Sequence, residues 1–115
     1  MPFETTTIHS YAFYSCMSLE KADIPGSVQS IGYGAFTGCE SLETLTLSYG
    51  LTSIKGSAFD GCKSLTSIEI PGSVKEIGAY AFYGCPGIKT VKIPVSVKNV
   101  GDFSFGLYFD ESTYK

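Results

Sequence analysis

Residues 54–76 read IKGSAFDGCKSLTSIEIPGSVKE, and the chain on either side repeats that text at a constant interval. Ile54 has counterparts at Ile8, Ile31, Ile77 and Val100, Phe59 at Phe13, Phe36, Phe82 and Phe105, and Cys62 at Cys16, Cys39 and Cys85. Every step is 23 residues, without insertion. A unit this short cannot bury its own apolar face, so it must stack on copies of itself. The spacing therefore predicts a solenoid in which equivalent side chains lie above one another in successive coils.

Within each unit the apolar positions change spacing in a fixed order. A segment L-x-x-φ-x-φ recurs as Leu19, Ala22, Ile24; Leu42, Leu45, Leu47; Leu65, Ile68, Ile70; and Ile88, Val91, Ile93. Its last four positions alternate apolar and polar, the pattern of a half-buried strand, and stacking would align these strands in a parallel sheet. Turn residues follow: Pro-Gly-Ser at 25–27 and 71–73, Ser-Tyr-Gly at 48–50, and Pro-Val-Ser at 94–96. Proline ends the ladder and glycine permits the turn. Ser27, Ser73 and Ser96 are placed to hydrogen-bond backbone groups in this turn, an inter-coil role Gly50 cannot fill. Next, Val28 and Ile31, Leu51 and Ile54, Val74 and Ile77, and Val97 and Val100 point inward from a short extended segment, which predicts a second, weaker sheet. Ala12-Phe13, Ala35-Phe36, Ala58-Phe59 and Ala81-Phe82 close the unit ahead of the cysteines. A large ring beside a small residue fits a tight corner, read as a single helical turn. The phenylalanines are expected to form a stacked spine.

The four cysteines share one register, so they form one column at roughly the 4.8 Å spacing of neighbouring strands. A straight column cannot surround a metal tetrahedrally, and short C-x₂₋₄-C pairs are absent. A disulfide between neighbours fits the Cα spacing, but parallel Cβ vectors sit wider than the usual ~3.8 Å. Buried free thiols acting as small hydrophobes are the expectation.

On this register the single domain 1–115 divides into a partial repeat at 1–7, full repeats at 8–30, 31–53, 54–76 and 77–99, and a degenerate cap at 100–115. Met1-Pro2 falls where Ile24-Pro25 stands in a full unit, which fits either a piece of a longer solenoid or a start with a wettable edge. At the other end Tyr108 replaces the cysteine and Glu111 the strand leucine. The cluster Phe103, Phe105, Leu107, Tyr108 and Phe109, followed by an acidic tail, reads as a C-terminal cap.

The units IGYGAFTGCESLETLTL, SAFDGCKSLTSIEIPGSV and AYAFYGCPGIKTVKIPVSV resemble the BspA-like class of leucine-rich repeat. That class reads A-F-x-G-C-x-S-L-x-x-φ-x-I-P-x-S-V-x-x-I-G, and the match runs from Ile8 to Phe105. The resemblance implies a right-handed, mostly β leucine-rich-repeat solenoid, with a parallel sheet on the concave face and helical turns or loops on the other side. It also implies an extracellular or cell-surface protein used for adhesion and for binding host or microbial proteins. This chain departs from that pattern in carrying few units, no signal peptide and no anchor.

Composition narrows the function classes. The chain is 43% hydrophobic, with eight lysines, eleven acids, no arginine and a formal charge of −3, which argues against nucleic acid. No apolar run approaches the roughly 18 residues that span a bilayer. Catalysis needs convergent groups, and none are evident. The single histidine, His9, shares its slot with Gly32, Lys55, Gly78 and Gly101, an exposed corner position. No G-x-S-x-G, H-E-x-x-H, G-x-x-x-x-G-K or G-x-G-x-x-G motif occurs. The expectation is a non-enzyme without cofactor or metal.

Binding is the more natural use of a solenoid, because its outward residues are free of packing duties. The strand assignment places Glu20, Glu43, Thr66 and Lys89 in one outward column; Lys21, Thr44, Ser67 and Thr90 in a second; and Asp23, Thr46, Glu69 and Lys92 in a third. These twelve are the candidate protein-binding residues of the concave face. The first and third columns run from acidic to basic, which fits either ordinary surface charge or orientation of a charged protein partner. Tyr33, Tyr80 and Tyr83 are further candidate anchors or core shields. The alternative function is a structural spacer or a module that self-associates through its coil edges into a homo-oligomer.

Overall fold

The computed structural model of the protein describes residues 5–106. They wind into a parallel-strand β-solenoid with seven short strands: β1 (Thr7–Ile8), β2 (Lys21–Ile24), β3 (Ser30–Ile31), β4 (Thr44–Leu47), β5 (Ser53–Ile54), β6 (Glu76–Ile77) and β7 (Asn99–Val100). Residues 1–4 and 107–115 lie outside this description, and with them the Met1-Pro2 start and the Leu107, Tyr108, Phe109 and Glu111 part of the expected cap.

The strands form two parallel sheets, one of five strands in the order β1-β3-β5-β6-β7 and one of two, β2-β4. Every pairing joins residues one repeat apart: Ile8 with Ile31, Ile31 with Ile54, Ile54 with Ile77, Ile77 with Val100, and Ala22 with Leu45. The relative weight of the two sheets differs from expectation. The segment expected to be weaker is laddered in every coil. The alternating segment is laddered between β2 and β4, and 66–70 and 89–93 carry no strand beyond an isolated bridge at Val91. Burial of Ile68, Ile70 and Val91 holds those segments inward instead.

The corner before each cysteine differs as well, since no helix forms among the described residues. Amides alternate between two acceptors. Tyr11, Phe13 and Ser15 donate to the carbonyls of Tyr33, Ala35 and Thr37 in the next coil, while Ala12, Tyr14 and Cys16 donate to carbonyls three residues back. The alternation follows from left-handed backbone at Tyr11 and Ser15 (φ 61° and 55°), repeated at Gly34 and Gly38, at Ser57 and Gly61, and at Tyr80 and Gly84. Two left-handed residues four apart break any α-helical turn and aim every second amide at the neighbouring coil.

Inside the coils the phenylalanines are piled in a row. Phe13, Phe36, Phe59, Phe82 and Phe105 stack with centroid separations of 5.0, 5.0, 5.1 and 5.2 Å and interplanar angles of 4–11°. The spacing is that of the ladder, so the rings lie offset and nearly parallel rather than edge to face. Around them Val28, Ile31, Leu42, Leu51, Ile54, Leu65, Val74 and Ile77 are fully buried. Ser104 takes the alanine slot, and its buried hydroxyl lies between two carbonyl acceptors, Gly101 and, at 3.2 Å, Gly78.

The turn serines act between coils, as their register suggests. Ser27, Ser73 and Ser96 donate to the carbonyls of Thr5, Leu51 and Val74 at 2.7, 2.7 and 2.8 Å. Ser73 also accepts from the Gly50 amide at 2.9 Å, so the unit lacking its own serine is served by the next one. Gly50 itself stands at φ 121°, and a Cβ there would fall 2.2 Å from the Gly26 carbonyl oxygen.

Two stability predictions follow from these contacts. Phe59→Ala, at the buried middle of the spine, is expected to lower stability by ~3–5 kcal/mol in urea melts; a loss below about 1 kcal/mol would contradict a cooperative spine. Ser73→Ala strands both a carbonyl and an amide, whereas Ser96→Ala strands one carbonyl. The first is expected to cost about 1–3 kcal/mol and the second roughly 0.5–1.5 kcal/mol, and the reverse order would sink the assignment.

Candidate protein-interaction face

Strand alternation positions the candidate face. In β2, Ala22 and Ile24 turn inward while Lys21 and Asp23 turn out, and in β4 Leu45 turns inward while Thr44 and Thr46 turn out. All twelve expected residues are exposed: Glu20, Lys21, Asp23, Glu43, Thr44, Thr46, Thr66, Ser67, Glu69, Lys89, Thr90 and Lys92. Strand pairing sets Lys21 beside Thr44 and Asp23 beside Thr46. The amides of Glu43 and Thr44 both donate to the Glu20 carbonyl, which brings the two glutamates into adjacent coils. The third and fourth members of each column follow at repeat spacing but without a ladder to lock them.

Charges on this face are nearly unconstrained. Lys21 and Asp23 approach to 3.9 Å with both side chains largely exposed, a contact worth little by itself. Glu40 and Lys63, at 3.7 Å, pair in the neighbouring turn. Glu20, Asp23, Glu43 and Glu69 stand in the first three coils and Lys89 and Lys92 in the fourth, with Lys21 the one lysine among the acids, so the face carries a dipole along the stacking axis.

Other residues singled out by sequence fall elsewhere. His9 is exposed, away from any convergent group. Tyr80 sits in an aromatic cluster with Tyr83 at 5.1 Å and Phe103 at 5.5 Å, while Tyr33 stands apart and 56% exposed. The cysteines are free: Cys39, Cys62 and Cys85 are buried and Cys16 half-buried. Their thiols donate to the preceding coil, Cys39 to the Phe13 carbonyl, Cys62 to Phe36 and Cys85 to Phe59, at 3.1–3.2 Å. Burial pushes the Cys39 and Cys62 thiols up, and Cys85 up to about 11, because a thiolate there would lose its water. Thiols so protonated are poor nucleophiles. Among the described residues no group of three or more His, Cys, Asp and Glu is arranged to hold a metal, and no helix is long and apolar enough to cross a membrane.

Sequence reading passed over a second outward patch, on the five-stranded sheet. Ser53 donates to Glu76 at 2.8 Å and Lys55 pairs with the same carboxylate oxygen at 3.1 Å. The Ser53 hydrogen bond, then Lys55, holds the Glu76 carboxyl below the usual carboxylate range. The signal was present: Ser53 and Glu76 are one repeat apart, and Lys55 lies two residues further along, on the same side of a strand.

Comparison with known proteins places this geometry. The BspA-type leucine-rich repeat model matches six copies across residues 6–109. The chain belongs to the BspA-type leucine-rich repeat family. No curated protein matches it. Among solved structures, the leucine-rich repeat protein of T. pallidum superposes with a TM-score of 0.86 at 39% identity, over 88% of this chain and 47% of that one. A leucine-rich cell surface protein from Faecalibacterium prausnitzii superposes with a TM-score of 0.70 at 40% identity, over 73% of this chain and 22% of that one. The pneumococcal vaccine antigen PcpA gives 0.79 at 27% identity, over 90% and 27%. The chain thus spans less than half the length of these solved relatives. As a BspA-type repeat it is of a class consistent with protein interaction, and family and fold are of a generally non-enzymatic kind.

The thiol column yields a pH prediction. An unfolded thiol ionises near its ordinary value of 9.0, while the buried ones stay protonated, so above that pH the unfolded state binds fewer protons. Stability contributed by the column is complete below pH 9 and is expected to fall as pH rises toward about 11. Urea midpoints measured across that range should decline, and less steeply in Cys85→Ala; equal slopes in both proteins would refute the thiol contribution.

Proposed function

We propose that this BspA-type repeat domain is a non-catalytic protein-binding module of a surface or secreted adhesin-like protein. The carrying observation is the face of twelve exposed side chains in register, which do no packing work and, in two of their three columns, change from acidic to basic along the stack. Charges repeated along a stack set up a field along its axis, which favours orientation and rapid encounter with a charged partner over raw affinity. Similarity to a cell surface protein and a vaccine antigen supports an extracellular setting.

A second reading, self-association through coil edges, has its own observation. The carbonyls of Ser10, Ala12 and Tyr14 occupy the slots in which Tyr33, Ala35 and Thr37 accept amides, yet they accept none among the described residues. Tyr11, Tyr14 and Met17 beside them are 62, 55 and 51% exposed. Such acceptors fit a further parallel coil, whether of this protein or of a second copy.

The two readings separate experimentally. Capture by a panel of extracellular-matrix and bacterial surface proteins is expected to weaken at least tenfold when Glu43, Glu69, Lys89 and Lys92 are all replaced by alanine, and to weaken with added salt. Unchanged capture by that variant would reject this face. Sedimentation velocity over a wide concentration range is expected to show a monomer, and a concentration-dependent larger species would favour the edge reading.

A further inference from the structure

A groove of about 380 Å³ lies on the five-stranded sheet, lined by Tyr33, Lys55, Glu76 and Asn99 over a floor that includes Gly56, Gly78 and Gly101. The volume falls at the low end of the ~300–1,000 Å³ typical of small-ligand sites. The floor has no side chains because neighbouring backbones leave no room for them: a Cβ on Gly78 would fall 2.4 Å from the Gly56 nitrogen, and one on Gly101 2.2 Å from the Ala79 nitrogen. What stands around that floor, rather than the glycines, defines its chemistry.

One end is an aromatic platform. The Tyr33 ring lies against Gly56, with ring carbons 3.4 and 3.6 Å from where a Cβ would sit, and is 56% exposed with its hydroxyl unpartnered among the described residues. Along the wall, Glu76 commits Oε1 to Ser53 and Lys55 and leaves Oε2 open, while the exposed side-chain carboxamide of Asn99 has no protein partner among the described residues. An acceptor and a donor–acceptor amide are therefore available beside a ring face. The Lys55 charge is cancelled by Glu76, so the groove does not attract an anion. Of the floor amides, those of Lys55, Gly78 and Gly101 point into the ladder, at the carbonyls of Ile31, Ile54 and Ile77, while those of Gly56 and Ala79 have no protein acceptor among the described residues.

We infer that this groove is a binding site for a short neutral oligosaccharide. Sugars combine an apolar C–H face, which stacks on an aromatic ring, with vicinal hydroxyls that both donate and accept. From the Tyr33 coil to the Asn99 coil is three strand spacings, about 14 Å, longer than one pyranose ring. The groove is open to solvent, so binding is weak, with Kd on the order of 1 mM. The site is independent of the twelve-residue protein-binding face, whose columns lie on a different segment of each coil.

The test is a ¹H–¹⁵N NMR titration of the 115-residue chain with maltotriose, cellotriose, lactose and N,N′-diacetylchitobiose, with sodium phosphate as the anion control. Saturating shifts at the Gly56, Gly78 and Gly101 amides and the Asn99 side chain are expected with at least one saccharide, weakened fivefold or more in Tyr33→Ala and in Asn99→Ala and retained in Tyr33→Phe. The same spectra report folding of these surface variants. Absence of saturating shifts at those amides up to about ten times a 1 mM Kd, equal shifts with phosphate, or undiminished binding by Tyr33→Ala would each overturn the assignment.

Discussion

Equal chain length per coil is the constraint on which everything else in this molecule rests. Because each turn returns after the same number of residues, backbone hydrogen bonds hold every side chain one strand spacing from its own copy. The consequence is that an inward residue must pack against itself. Phenylalanine does so as an offset stack, with centroids at 5.0–5.2 Å. Isoleucine, leucine and valine do so by simple apolar contact. Cysteine does so by turning its thiol onto the phenylalanine carbonyl of the coil before it. An insertion in one coil would misalign every column at once, which is the physical content of a repeat without gaps.

The same constraint explains why the inner columns are uniform and the outer ones mixed. Apolar groups gain from meeting their copies, while like charges at strand spacing repel. The outward columns accordingly mix acids, hydroxyls and lysines, as in Asp23, Thr46, Glu69 and Lys92, with Glu20 and Glu43 the one pair of like charges in neighbouring coils of these columns. Ser53 and Glu76 occupy one such column and use the short spacing productively, the hydroxyl donating to the carboxylate. Two surfaces free of folding duties result, one on the alternating segment and one on the five-stranded sheet. A short repeat domain of this family presents both at fixed separations without any moving part.

Chemistry of the reactive kind is correspondingly hard to place on this scaffold. Convergence of unlike groups from distant parts of a chain is what makes a catalytic constellation, and a solenoid mostly brings like to like. The four thiols are the clearest case. They are nearly adjacent, yet three are buried, hydrogen-bonded to carbonyls and pushed toward the protonated form by loss of water. Proximity here produces packing rather than reactivity.

Register, inward columns, the phenylalanine spine and the outward position of the twelve candidate residues were all legible in the amino-acid sequence, because a period without insertion determines which residues coincide. Three features were not. The ladder concentrates on the two-residue segments such as Ser53–Ile54 rather than on the longer alternating ones, because hydrogen bonding depends on how closely coils approach, which alternation does not encode. The corner is non-helical because Tyr11, Ser57, Tyr80 and Phe103 adopt the left-handed conformation of Gly34, which shares their slot, a choice imposed by the neighbouring coil and not by the residues. And the groove beside Tyr33, with Glu76 and Asn99 from later coils, exists only once successive coils are stacked, since no single repeat contains its walls.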